Sequence, residues 1–207
     1  ASQILEIALT SRNKNKAKPT PMCGIPHHSS RSYIAKLIKS GKKVAICEQT
    51  EDSRLAKGLV KRQVVRVITP GTTLDENLLD PKNNHFILSL YYNGKDWGFA
   101  ALDITTGLFK ATEFHGKNNE SLLEDEIEKF SPKEIILSES LLSALTKPKF
   151  LEEHEHRLQT CEDWTFLYKE AYQTLVNHFK TNSLEGFGCE NLKLATSAAG
   201  ALLLYLQ

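Results

Sequence analysis

The residues best suited to chemistry lie between Arg12 and Thr72. The run Met22-Cys23-Gly24-Ile25-Pro26-His27-His28-Ser29 sets a glycine beside two histidines and the serines of a helix start. A Gly-Ile-Pro turn lets backbone N–H groups approach a ligand closely, because Gly24 has no side chain in the way. His27 and His28 can donate to a phosphate, and a helix opening at Ser29 or Ser30 turns its positive end toward an anion. Ahead of this turn lies Arg12-Asn13-Lys14-Asn15-Lys16-Ala17-Lys18. Cations at that density bind phosphates by counterion release, which needs charge and reach but no fixed geometry. The plain alternative is a solvated loop. Lys61, Arg62 and Arg66 lie in a strand-like segment further on, where alternation can turn one of them away.

Other chemistries find less support. The spacing G-x-x-x-x-G-K-[ST] is missing, so no nucleotide-binding P-loop is present in these residues. Cys23, His27 and His28 make a poor metal set, since adjacent histidines rarely face one ion and no fourth ligand is evident. No G-x-S-x-G nucleophile elbow occurs. A two-metal nuclease needs carboxylates converging on ions about 4 Å apart. The strand-like run His85–Tyr92 carries none, Asp103 stands on the next strand, and Glu120, Glu124, Asp125, Glu126 and Glu128 read as the wet side of a helix. The site list is therefore an anion-binding one, with no catalytic and no metal-binding residue.

Charge supports that reading. Residues 1–84 hold fifteen Lys and Arg against seven Asp and Glu, whereas residues 85–207 hold eleven against eighteen. A net charge of +1 thus conceals a basic part joined to an acidic one, and only the first favours a polyanionic partner. The 207 residues leave room for two compact domains, and 41% apolar with 25% charged residues is ordinary for a globular protein. No run approaches the roughly 18 apolar residues of a membrane helix. The four cysteines form no CxxC pair, and a reduced, cytoplasmic setting fits them. Cys47, in an apolar run, is expected to be buried.

The positioning elements follow from periodicity. Ser2–Leu9 reads as the tail of an amphipathic helix and Leu9–Arg12 as a strand leading into the basic loop. Met22–Pro26 is a short strand or turn, and Ser29 or Ser30 is expected to cap a helix with its side chain. That helix places Tyr33, Ile34, Leu37 and Ile38 on one face, with Arg31, Lys36 and Lys39 elsewhere, and ends at a left-handed Gly41. Val44-Ala45-Ile46-Cys47 predicts a strand covered on both sides, and Lys61–Thr69 another strand. The overall class is α/β. Beyond a polar stretch come three strands over His85–Tyr92, Asp96–Ile104 and Gly107–Phe114, joined by hairpin turns. A helix over Asn119–Phe130, a strand at Glu134–Leu137 and a short helix near Ser140 complete a mixed sheet. Leu192–Leu206 is apolar over much of its circumference and needs a covering partner, expected outside this chain. Both ends read as cut.

The motif Met22–Ser29 resembles that of the MutS family of DNA mismatch-repair proteins. The resemblance continues through Tyr33–Leu37, Val44–Gln49, Lys57–Arg62, Val65–Thr72, Ala101–Gly107 and Gly186–Gly188. It implies a mismatch-recognition domain over residues 1–76, a linker over 77–84, an RNase H-like connector over 85–182, and the start of a helical core over 183–207. It implies contacts with double-stranded DNA by Arg12, Lys14, Met22, Gly24, Ile25, Pro26, His27, Lys61 and Arg62, and contact with a MutL-type partner through the connector. In the family a Phe-x-Glu motif stacks on and hydrogen-bonds the mispaired base; the sequence is expected to start after it. The clamp, the ATPase with its ATP and Mg, and the homodimer contacts are expected beyond Gln207. The chain alone is then expected to need no cofactor, to catalyse nothing, and to come from a bacterial, nucleoid-associated protein.

Overall fold

The computed structural model describes residues 1–12, 19–51, 58–72, 84–144 and 148–207, with Arg12 described for its backbone only. The chain divides into two compact units, Ala1–Leu78 and Leu79–Gln207. Among the described residues no helix is long and apolar enough to cross a membrane.

The first unit opens with the single turn α1 (Ser2–Leu5), ended by a left-handed Glu6. The amphipathic helix expected to reach Leu9 therefore stops early, and Leu9 is exposed. Strands β1 (Thr10–Arg12) and β2 (Thr20–Met22) pair antiparallel, with Arg12 opposite Thr20, so they flank the basic loop. A turn of 3-10 helix at His27–Ser29 leads into α2 (Ser30–Lys39). The face of α2 is as expected: Tyr33, Ile34, Leu37 and Ile38 turn inward while Arg31, Lys36 and Lys39 are exposed. Its start is not. No serine side chain caps the first turn; Ser32 Oγ instead donates to the Ser29 carbonyl at 2.8 Å. Gly41, at φ 72°, closes the helix, and the Lys42 N–H reaches the Leu37 carbonyl at 3.0 Å.

Strands β3 (Val44–Gln49) and β4 (Arg62–Ile68) form a second, separate antiparallel ribbon with a register break between Ile46 and Cys47. The expectation that Val44–Cys47 is covered on both sides fails. A two-stranded ribbon has only one layer to hide against, so Ala45 and Cys47 are exposed, as are Val64, Val65 and Val67. Cys47 is consequently not a buried residue.

The second unit is built on one five-stranded sheet of β5 (Phe86–Tyr92), β6 (Trp97–Asp103), β7 (Phe109–Phe114), β8 (Glu134–Ser138) and β9 (Leu158–Cys161), ordered β7-β6-β5-β8-β9. β5, β6 and β7 pair antiparallel through hairpins, while β8 and β9 run parallel to β5. Helices α3 (Asn119–Phe130), α4 (Glu139–Ser143), α5 (Phe150–Glu153), α6 (Tyr168–Phe179) and α7 (Lys193–Tyr205) complete the unit. A first strand at the centre, two antiparallel neighbours on one side and two parallel ones on the other give the mixed α/β layer order expected of an RNase H-like domain.

Strand alternation sends β5 side chains to two cores. Phe86, Leu88 and Leu90 pack with Trp97, Phe99, Leu123, Ile127 and Phe130 under α3. Ile87 faces Ala100, Ile136, Leu175, Ala198 and Leu202 under α6 and α7. The small residues of α7 explain its position. A Cβ on Gly98 of β6 would lie 2.0 Å from the Leu194 carbonyl oxygen, and one on Gly200 would lie 2.3 Å from Ala171 Cα. Backbone meets backbone at both points. Residues 183–207, expected to open a separate helical core, thus belong to the same compact unit as the sheet, and the apolar circumference of α7 is covered from within the chain.

Candidate nucleic-acid interface

The loop expected to carry Lys14 occupies residues 13–18, which lie outside the described residues; so does most of the linker expected at 77–84. What is described is the hairpin that holds the loop. With Thr10 opposite Met22 and Arg12 opposite Thr20, the basic stretch and the Met22–His28 turn leave the same two-stranded sheet from opposite ends.

The turn is open. Met22, Gly24, Ile25, Pro26, His27 and His28 are all exposed, and a Cβ on Gly24 would meet nothing within 4 Å. Gly24 is not forced into a left-handed conformation, so its use is clearance and not backbone strain. Pro26, extended at φ −65° and ψ 136°, accepts the Ser29 N–H at 3.1 Å and thereby fixes where the chain enters α2. Met22 and Ile25 are large apolar side chains of this turn that reach solvent.

Lys61 and Arg62 sit where the β3–β4 ribbon ends. The Thr50 N–H donates to the Lys61 carbonyl at 3.1 Å, and the Lys61 N–H donates to Glu51 Oε1 at 2.6 Å. Arg62 pairs with Gln49 across the ribbon and turns its Nη1 back to the Val60 carbonyl at 3.2 Å. Both cations are exposed, but Glu48 and Glu51 share that end, so the ribbon is not purely cationic. The turn and the ribbon belong to one unit yet to separate sheets, with α2 between them in sequence. The exposed Arg31, Lys36, Lys39, Lys42 and Lys43 on and after α2 extend the cationic surface beyond the residues that the sequence singles out. Their signal is present in the sequence all the same, as the positions off the apolar face of α2. One of them is partly engaged, with Lys36 Nζ 4.0 Å from Glu6 Oε2.

The carboxylates of the second unit do not assemble a nuclease site. Asp103, almost wholly buried, accepts the His85 N–H at 3.2 Å, the Thr105 N–H at 3.0 Å and the Thr105 hydroxyl at 2.7 Å on Oδ1, and the Thr106 hydroxyl at 2.9 Å on Oδ2. Burial pushes its pKa up, but these four donors outweigh it, and the net shift is below the usual carboxylate value. Asp103 is the keystone of the β6–β7 turn. Glu120, Glu124, Asp125 and Glu128 lie exposed on α3, opposite the face that buries Leu123 and Ile127. Among the described residues no group of three His, Cys, Asp or Glu is placed to hold a metal ion, and Cys23, His27 and His28 form none. The sequence contains one Phe-x-Glu, Phe150-Leu151-Glu152, but Phe150 is buried in the α3-side core and cannot stack on a base.

Comparison with known proteins agrees with this division. Residues 1–77 match the family model "MutS domain I", and residues 85–207 match "MutS domain II". The whole chain aligns with the DNA mismatch repair protein MutS of Desulforapulum autotrophicum at 47% identity, covering 24% of that protein. It aligns over its whole length with the MutS proteins of Thermodesulfovibrio yellowstonii, at 47% identity and 23% of the relative, and of Lachnoclostridium phytofermentans, at 42% and 22%. The chain therefore spans about a quarter of the length of the curated relatives it matches.

Proposed function

Since this chain belongs to the MutS family, through domains I and II, we propose that it serves DNA mismatch repair by anchoring the sugar-phosphate backbone of a duplex on its first unit. The observation that carries this reading is the open Met22–His28 turn, with free space over Gly24, in a unit whose Arg31, Lys36, Lys39, Lys42, Lys43, Lys61 and Arg62 are exposed. Mismatch recognition needs a kinked, weakened stack and phosphate anchors that hold the bend. The groups present here suit anchoring: Arg12, Lys14, His27, Lys61 and Arg62 supply charge and donors, while Met22, Gly24, Ile25 and Pro26 supply a surface that lies close against the duplex.

The second unit reads as a connector. Its acidic balance disfavours DNA and favours protein contacts, with a MutL-type partner or with other parts of a longer parent. ATP and Mg binding, ATP hydrolysis and homodimerisation belong, in this reading, to that parent and not to these two domains. The chain acts without catalysis.

Anisotropy titrations of matched and G·T-mismatched duplexes at several salt concentrations test the reading. Binding is expected near the non-specific range, Kd about 10⁻⁴ M or weaker at physiological salt. Contact with four phosphates predicts a log–log salt slope of about −3.6. With anchors alone the two duplexes should bind almost equally, so a clear mismatch preference would show that these residues also read the base pair. Metal-dependent cleavage of either duplex would favour the nuclease reading instead.

A further inference from the structure

A chain of hydrogen bonds at one end of the second unit is not used by any of the roles above. Helix α7 begins after Leu192 without a cap from its own segment. Its first free N–H groups are taken instead by a residue 81 positions earlier: Glu113 Oε1 on β7 accepts the Leu194 N–H at 2.5 Å and the Ala195 N–H at 3.1 Å. The other oxygen of Glu113 lies 2.9 Å from His115 Nε2, and His115 Nδ1 lies 3.3 Å from Asp96 Oδ2 in the β5–β6 turn. Asp96 is itself fixed, accepting the Gly116 N–H at 3.3 Å, and Asn119 Nδ2 donates to the neighbouring Lys95 carbonyl at 2.7 Å. One imidazole thus stands between two carboxylates, one of which holds the first turn of α7.

We propose that His115 is a proton-operated latch, tying the start of α7 to β7 and to the β5–β6 turn when both ring nitrogens carry hydrogen and releasing that tie when one is lost. The chemistry is simple. An imidazolium donates through both nitrogens, one to each carboxylate. A neutral ring has one N–H, so one carboxylate then faces a lone pair and loses its donor. The released carboxylate is either the cap of α7 or the anchor of the turn. The latch matters because the Leu194 carbonyl rests where a Gly98 side chain would be, so the first turn of α7 has no slack against β6.

The charged surroundings favour the closed state. Asp96 acts most strongly on the ring, then Glu113, and both raise its pKa above the usual histidine value against a smaller opposing effect of burial. Lys95 acts on Asp96. Lys117 on the following turn, Glu120 at the start of α3 and Lys193 at the start of α7 are the charges of the adjoining segments; the carboxylates paired with the ring are Asp96 and Glu113, not Glu120. A raised folded-state pKa means stabilisation fully present below 6.5 and lost as pH rises through the folded value.

NMR titration of the whole 207-residue chain between about pH 5 and pH 9, spanning the histidine range, tests the latch. The His115 ring midpoint should lie above 6.5, and the Leu194 and Ala195 amide resonances should shift with that same midpoint. His115→Gln, at a half-exposed position that tolerates it, should abolish the amide step while leaving the fold intact. Glu113→Gln should lower the ring midpoint. The melting-temperature gap between wild type and His115→Gln should be widest in acid and close as pH rises. Amides that stay still while the ring titrates, a ring midpoint at or below the ordinary value, or an amide step that survives His115→Gln would each overturn the proposal.

Discussion

The two units solve opposite problems with the same kinds of element. In the second unit a five-stranded sheet buries both faces, so Ile87, Leu88, Leu90, Trp97 and Phe99 are essentially inaccessible. In the first, two separate ribbons leave their strands in water, and among its described residues only Leu5, Ile38 and Ile68 are buried large apolar side chains. The contrast teaches that β-strand sequence does not decide burial; the number of layers does. It also assigns labour. A unit whose Met22–His28 turn and described cations face solvent suits the duplex anchoring proposed for it, while a unit packed on both faces suits the connector role proposed for the second.

Paired glycine substitutions should break or sharpen that contrast most visibly. Gly98→Ala forces a Cβ into the Leu194 backbone and is expected to destabilise the second unit by about 3 kcal/mol, at the upper end of overpacking costs. Gly24→Ala meets open space and should change stability by less than about 0.5 kcal/mol. Denaturant melts of both variants measure this; similar losses would mean the units are not packed as differently as described.

Asp103→Asn comes next. Removing a charged acceptor of four hydrogen bonds is expected to cost about 1.5–3 kcal/mol, read by the same melts. Because the folded pKa of Asp103 lies below its ordinary 3.8, the wild-type advantage should hold above that value and vanish as pH falls through the folded one. An advantage that persists in strong acid would contradict the keystone role.

The smallest effect concerns the ribbon of the first unit. Replacing Lys61 and Arg62 with Ala should weaken duplex binding equally for all sequences. The salt slope should flatten by about one for each phosphate that is no longer neutralised. Sequence-dependent losses would point to base reading. An unchanged slope would show that neither side chain neutralises a phosphate, in keeping with the contact of Arg62 Nη1 to the Val60 carbonyl.

Much of this is legible in the residues. The β5–β7 meander can be read because its turns are chemically explicit: Asn93 Oδ1 accepts the Lys95 and Asp96 N–H groups, and Gly94 and Gly107 take positive φ. Helix α3 matches its expected bounds, with Leu123, Ile127 and Phe130 at helical spacing and a left-handed Ser131 before Pro132. The open Met22–His28 turn is readable because glycine and proline leave few alternatives there. The coverage of β3 is not, since an apolar run is the same whether its neighbours exist or not, and the exposure of Cys47 is hidden with it. The place of α7 is not legible either. Apolarity announces that a helix must be covered, but Gly98, Gly200 and the distant Glu113 that seat it are visible only once the chain is folded.

The most direct test of the central claim is a backbone-amide NMR titration of the whole chain with a short duplex at low salt. The account predicts shifts concentrated at residues 10–12, 22–28 and 61–66, reversed by added salt, with the second unit's sheet unmoved. Shifts centred instead on the sheet and helices of residues 85–207, with the Met22–His28 turn silent, would contradict it.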